Sequence, residues 1–226
     1  MNNIYHSIIL ARGGSKGIKD KNLKKINHKP LLFWSIEQSL KSKKIKKTWV
    51  SSDSEKILKY AKSIGAETIK RPKSLSSDNS SSESGWLHAI NEIKKNYKTN
   101  KIVAIQCTSP IRSNNDFDNA IKLYEKENYC SLFSGTSADD LHFSWKIKKK
   151  KLIPNYNIFN RLRRQNLKKT ILENGSFFIF DLKKFIKFEN RLFGKIGTFI
   201  QTKECQFQID NIEDMRIVDL LLRNYK

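Results

Sequence analysis

Residues 9–22, ILARGGSKGIKDKN, place one arginine, three lysines and three glycines directly after an apolar run. Glycine lacks the Cβ that keeps a ligand away from the main chain, so a turn through Gly13, Gly14 and Ser15 lets backbone N–H groups approach an anion. Arg12, Lys16 and Lys21 add positive charge beside that turn. Two familiar phosphate loops are excluded: the chain contains no G-x-x-x-x-G-K-[ST], and glycines at 13, 14 and 17 do not space as G-x-G-x-x-G. What remains is a glycine turn with cations at the end of a strand. That chemistry suits a nucleoside triphosphate, whose charge must be neutralised before a nucleophile can approach it.

A turn of this kind works only if something rigid carries it. Short apolar runs at 7–11 (SIILA), 48–52 (TWVSS), 102–106 (IVAIQ) and 129–135 (YCSLFSG) read as buried strands, each followed by turn residues. Helical patterns lie between them at 31–41, 53–63, 82–95 and 116–127. Ser52 and Glu55 have the spacing of a capping box, and Gly65 stands where a helix would stop. Strand and helix in alternation predict an α/β fold with a mostly parallel sheet and right-handed crossovers. Ligands of such sheets sit at the carboxyl ends of the strands. The glycine turn and the Gln106–Arg112 segment would both reach that edge, as would Asp210 if CQFQID (205–210) is a strand. GSFFIFD (175–181) and GTFIQT (197–202) read as further strands, and residues 212–223 as a closing helix. The alternation breaks over about 137–173, where Phe143, Trp145, Tyr156 and Phe159 stand among charges; the aromatics favour an ordered arm or hairpin over a loose loop.

With 226 residues the chain has the length of one large α/β domain with an inserted arm. Its formal charge is +22, which attracts polyanions without specifying which. The excess is mostly lysine spread along the chain, as at Lys148 to Lys151, whereas base-reading contacts favour the arginine fork. A nucleic-acid-binding domain is therefore the weaker alternative. Cys107, Cys130 and Cys205 show no metal-ligand spacing, which fits a reduced cytosol. MNNIYHSIIL has no basic leader region, and no run is long and apolar enough for a membrane span, so a cytoplasmic protein is expected.

Five ordered segments, ILARGGSKGIKDKN, RPKSLSSDNSSSE (71–83), IQCTSPIRSNNDFDNAI (105–121), RRQNLKKTILENGSFFIF (163–180) and QIDNIEDM (208–215), span nearly the whole chain. Together they resemble the CMP-sialic acid synthetase family, cytidylyltransferases that activate nine-carbon and eight-carbon 2-keto sugar acids. The resemblance implies a three-layer, Rossmann-like nucleotidyltransferase fold whose arm contacts a second subunit in a homodimer. It places Arg12, Lys16 and Lys21 on the triphosphate, Gly13, Gly14 and Ser15 in the nucleotide loop, and Asn22 and Arg71 around the cytidine. Ser81 and Ser82 border the nucleotide at a helix entry, where a serine also serves as a cap. Gln106 would contact the sugar acid, with Arg163 or Arg164 and Asn174 bordering the sugar pocket.

The family usually carries two aspartates separated by one residue before the last helix. Asp210 matches the second, the expected Mg²⁺ ligand. The first is replaced by Gln208, whose carbonyl can ligate a metal but brings no charge. Leu10 stands where many relatives have proline, and Asn211 and Asp214 have cap spacing. The implied reaction is attack of the anomeric 2-hydroxyl of a 2-keto-3-deoxy sugar acid on the α-phosphate of CTP, releasing pyrophosphate. N-acetylneuraminic, legionaminic or pseudaminic acid is favoured over an octulosonic acid. The replacement at Gln208 keeps open a relative that binds CTP without turnover.

Overall fold

The computed structural model describes residues 3–15, 17–138 and 142–224. In chain order the elements are β1 (Tyr5–Leu10), β2 (Lys25–Ile26), β3 (Lys29–Pro30), α1 (Leu31–Lys41), β4 (Ile45–Ser52), α2 (Glu55–Ser63), β5 (Glu67–Lys70), α3 (Ser82–Asn96), β6 (Lys101–Gln106) and α4 (Asp116–Lys126). Then come β7 (Ser131–Ser137), β8 (Trp145–Lys148), β9 (Lys151–Pro154), β10 (Ile171–Asp181), α5 (Leu182–Phe188), β11 (Ile196–Ile200) and α6 (Ile212–Asn224).

A seven-stranded sheet runs β11-β7-β10-β6-β1-β4-β5. Every pairing is parallel except those of β10 with β6 and β7, so β10 alone runs against the rest. The sheet has helices on both faces. Leu32 and Ile36 of α1, Ile57 and Ala61 of α2, and Phe117, Ala120 and Ile121 of α4 share one core with Ile9, Val103 and Phe177. Trp86, Ala89, Ile90 and Ile93 of α3, with Phe185 of α5, pack on Ile8, Ile102, Ala104 and Phe180 from the other side. Successive residues of a strand point to opposite faces, so a strand covered on both sides reads as an unbroken apolar run. That is why Ile8 and Ile9 are both fully buried.

The expected alternation is present, with several local differences. The strand expected at 129–135 spans 131–137. The segment 205–210 is not a strand: Lys203–Gln206 form a 3-10 turn, and Ile209 N–H donates to the Thr108 carbonyl at 2.9 Å, tying a loop to the end of β6. The capping box at Ser52–Glu55 does not form, because Ser52 is still the last residue of β4. Its hydroxyl accepts from Ser54 N–H, and Ser54 is the N-cap of α2. Gly65 does end that helix region, at φ +95°.

The described part of the break at 137–173, which leaves out residues 139–141, forms an arm with a hairpin. β7 leaves the sheet at Ser137 and β10 returns opposite it at Ile171. Between them β8 and β9 pair antiparallel across Lys149 and Lys150, both in the left-handed region. Phe143 and Trp145 meet Tyr156 edge to face, with ring centroids 5.1 and 5.9 Å away, and the Arg161 guanidinium lies 4.1 Å from the Phe143 ring.

Candidate active site

The carboxyl edge of the sheet opens into a cleft of about 500 Å³. Because β10 is antiparallel, its beginning, not its end, reaches this edge, beside the last residues of β1 and β6. Arg12, Ser15, Lys21, Asn22, Arg71, Ser81, Ser82, Gln106, Gln208 and Asp210 all line the cleft. Lys16 lies outside the described residues.

The glycine turn is fastened from three sides. Asn22 is buried; its Nδ2 donates to the Arg12 carbonyl at 2.9 Å, and its Oδ1 accepts the Cys107 thiol at 3.0 Å. Burial pushes that thiol up to about 11, so it stays protonated and able to donate. Gly13 N–H donates to Asp53 Oδ1 at 2.9 Å, and a Cβ on Gly13 would sit 2.9 Å from Ser54 Cβ. A Cβ on Gly17 would strike the Asp210 carbonyl, so this glycine lets the turn close against the loop before α6. Gly13 and Gly14 belong to the turn but do not line the cleft; Ser15 and Gly17 do.

Among the described residues, three cationic groups face this space. The Arg12 guanidinium pairs with Asp78 at 2.8 Å. Lys21 Nζ donates to the Ile209 carbonyl at 2.7 Å and lies 3.5 Å from Asp210. Arg71 is buried, donating from Nε to Ser76 Oγ at 2.9 Å; burial pulls it below the ordinary arginine range, with Asp53 acting in the opposite sense. The N-terminus of α3 adds its partial positive charge. Ser81 caps that helix, accepting from Ser84 N–H at 3.1 Å, and Ser82 opens it.

Neutral amide groups line the same cleft. Gly175 has φ +63°, and a Cβ there would lie 2.7 Å from Gln208 Nε2 and 2.9 Å from Gln106 Oε1. Both glutamine amides therefore gather over this glycine. Gln208 Nε2 donates to the Asn174 carbonyl at 2.8 Å. Asn174 itself is buried away from the cleft. Its side chain accepts from Ser134 Oγ at 2.7 Å and donates to Gln201 Oε1 at 2.8 Å, and Gln201 Nε2 donates to Asp116 at 2.6 Å. Asn174 thus shapes this wall without lining it. Arg163 is exposed on the arm and does not line the cleft; Arg164 begins a 3-10 turn there. Asn211 and Asp214 form a reciprocal cap at α6, as their spacing indicated.

Sequence reasoning passed over Asp78, which shares the cleft, and Arg112, which builds it. Arg112 is buried, with burial pulling its guanidinium down to about 10. It donates to Ser35 Oγ, Gln38 Oε1 and the carbonyls of Gln106 and Ser176, at 3.1, 3.0, 2.9 and 2.9 Å. One side chain thereby joins α1, β6 and β10. The only signal was its place in the Gln106–Arg112 segment; nothing in its neighbours marks it as buried.

A mostly parallel sheet covered on both faces, with a basic glycine-turn cleft at its carboxyl edge, defines a nucleotide-binding α/β protein of the nucleotidyltransferase type. A profile of the cytidylyltransferase family matches residues 6–221, and the chain belongs to that family. It is 37% identical over 180 residues to the N-acylneuraminate cytidylyltransferase of Oncorhynchus mykiss, covering 77% of this chain and 40% of that protein. It is 31% identical over 222 residues to the protein of that name from Escherichia coli O18:K1:H7, covering 93% of this chain and 50% of that one. The chain therefore spans about half or less of the length of these relatives. Post-translational flagellin modification protein B of Campylobacter coli is 30% identical over 221 residues, covering 95% of this chain and 93% of that protein. Among solved structures, a CMP:2-keto-3-deoxy-manno-octonic acid synthetase complexed with CTP aligns over 98% of this chain and 99% of its own, with a TM-score of 0.76 at 12% identity. That likeness supports the fold. Among the described residues, no helix is long and apolar enough to cross a membrane.

Proposed function

We propose that this chain transfers CMP from CTP to the anomeric hydroxyl of a 2-keto-3-deoxy sugar acid of the nine-carbon type. The observation that carries this reading is the lining of one cleft: Arg12, Lys21, Arg71 and the N-terminus of α3 as its positive groups, and the paired amides of Gln106 and Gln208 over Gly175 as its neutral ones. The anomeric oxygen forms a bond to the α-phosphorus, the bond from α-phosphorus to the bridging oxygen of the β-phosphate breaks, and the hydroxyl proton leaves to solvent. The cationic side neutralises the triphosphate and the departing pyrophosphate. The amide side donates to and accepts from the sugar's hydroxyl and carboxylate groups.

Magnesium takes one or two carboxylates and completes its octahedron with substrate phosphates and water. Asp210 offers a carboxylate whose side chain is 78% exposed. Gln208 gives its N–H to Asn174, which leaves Oε1 as its remaining acceptor. These two residues fit a cation that arrives with the triphosphate, with Asp210 as the charged ligand and Gln208 as a neutral one. When bound, Mg²⁺ would polarise the phosphate oxygens and offset their charge. Lys21 holds the Ile209–Asp210 segment at the cleft, so it positions the carboxylate as well as adding charge.

A homodimer through the arm belongs to this reading. Ile147 and Leu152 are exposed on the hairpin and Phe159 is 93% exposed beyond it, an apolar surface suited to a second copy. Cytoplasmic location also belongs here, supported by Cys107, Cys130 and Cys205 standing outside any disulfide.

The test is pyrophosphate release from CTP and Mg²⁺ across a panel of N-acetylneuraminic, legionaminic, pseudaminic and octulosonic acids, with Arg12→Ala and Asp210→Ala as controls. Release with one nine-carbon acid, lost in both variants, is expected. Release with only the octulosonic acid would replace the substrate class. CTP binding without release from any acid would leave a nucleotide binder in which Gln208 has cost the activity.

A further inference from the structure

The amide-lined part of the cleft rests on a bulge in β10, and the residues that hold the bulge never reach the cleft. Between the partnerships Glu173–Gly135 and Phe178–Phe133, four residues of β10 lie opposite Ser134 alone. That surplus puts Asn174 and Gly175 where they are. The Asn174 carbonyl takes Gln208 Nε2, and Gly175, at φ +63°, passes close to both glutamine amides. A bulge leaves ladder groups unpaired, so other partners must satisfy them. Ser134 does so from β7: its Oγ accepts from Phe177 N–H at 2.9 Å and donates to Asn174 Oδ1 at 2.7 Å. The same Oδ1 accepts from Ser176 N–H at 3.2 Å.

From Asn174 the bonds run inward, away from the cleft. Asn174 Nδ2 donates to Gln201 Oε1, and Gln201 Nε2 donates to Asp116 Oδ2, which also receives Ser113 N–H at 3.0 Å. An oxygen on which two N–H groups converge is the accepting end of the chain. It decides which way the Gln201 amide faces, and Gln201 decides the same for Asn174. A reversed Asn174 amide would set its NH2 against Ser176 N–H and its oxygen against Gln201 Oε1. Ser134, Asn174, Gln201 and Asp116 are all buried, so a lost partner is not replaced by bulk water. Gln201 is fixed in turn by its main chain, whose N–H donates to the Gly135 carbonyl at 2.8 Å just past the end of β11.

We propose that Gln201 is a positioning residue of the cleft: it fixes the Asn174 amide from behind, and through it the bulge that presents the Asn174 carbonyl to Gln208 and the Gly175 backbone to Gln106. The proposal rests on the reading of the Gln106 and Gln208 amides as the groups that meet the sugar acid. Gln201 touches no substrate and acts through Asn174. A role in stability alone would lower the melting temperature without favouring one substrate over the other.

The test is steady-state kinetics at saturating Mg²⁺ on wild type, Gln201→Met and Ser134→Ala, with thermal melts to establish folding. KM is measured for CTP and for the sugar acid that wild type turns over. Gln201→Met keeps the length of the side chain and removes both polar ends. Ser134→Ala cuts the same clamp from its β7 end by the loss of one atom, and it carries the test should the methionine variant not fold. KM for the sugar acid is expected to rise about tenfold, the scale of one lost hydrogen bond, while KM for CTP stays within about twofold. An unchanged KM for the sugar acid in the variants that fold, or equal rises for both substrates, would overturn the proposal. Absence of pyrophosphate release by folded wild type with every acid would overturn the reading of the cleft, and the proposal with it.

Discussion

Replacing Arg112 by methionine should cost about 3–5 kcal/mol of stability, the scale of breaking a buried charged network by removing one partner. Methionine fills much of the arginine stem but donates nothing. Four acceptors lose their donor: Ser35 Oγ, Gln38 Oε1 and the carbonyls of Gln106 and Ser176, all within 3.1 Å of the guanidinium. Each buried acceptor left unsatisfied costs about 1 kcal/mol or more. Part of that is returned because a charge no longer has to be stripped of water, a penalty visible in the lowered affinity of Arg112 for its proton. Asp116, raised by burial and partly offset by Arg112, also loses a neighbouring positive charge. Equilibrium urea unfolding of wild type and variant, followed by far-UV circular dichroism, measures the difference directly. CTP affinity should fall with it, since Arg112 holds the carbonyl of Gln106, which lines the cleft, and that of Ser176, next to Gly175. A loss below about 1 kcal/mol with an unchanged urea dependence would refute the claim that Arg112 joins α1, β6 and β10.

Acid should expose His6. It is buried, accepts from Trp49 Nε1 at 3.2 Å and is held down to about 4 by burial, with Lys47 and Lys46 adding to the effect. Its folded value lies below its unfolded one, so stability is complete above about pH 6.5 and drains as pH falls towards 4, by about 3 kcal/mol in all; His6→Gln should flatten that part of the profile in urea titrations. Gly175→Ala forces a side chain onto a left-handed backbone and against Gln106 and Gln208, so about 1–3 kcal/mol of strain is expected. Steady-state kinetics should show KM for the sugar acid rising more than KM for CTP, and equal increases would remove Gly175 from the sugar side. Ser81→Ala removes the α3 cap at a cost of about 1 kcal/mol, read as a lower melting temperature.

The sheet was legible because its strands are buried on both faces and therefore uniformly apolar, as at SIILA and IVAIQ. The glycine turn was legible because few purposes require bare backbone and cations together at a strand end. Other features were hidden for physical reasons. β5 is short and sits at the sheet edge, so ETIK carries little apolar signal. The arm's tight turn uses Lys149 and Lys150 at positive φ, where Asn-Gly would have announced a hairpin. CQFQID alternates like a strand, yet it is held by the Thr108 carbonyl and by Lys21 from outside the sheet. At Asn174, residue type gave no way to separate a group that touches ligand from one that fixes the wall behind it.

The arm's two ends meet. Ala138 N–H donates to the Thr170 carbonyl at 2.9 Å, directly beside the Ser137–Ile171 partnership. To the sheet, everything between them is one long hairpin loop whose closure is already complete. Its length and contents are consequently decoupled from the positions of Gln106, Gly175 and Gln208. This makes the arm a detachable module: its outer surface can diverge while the carboxyl edge of the sheet is left as it is.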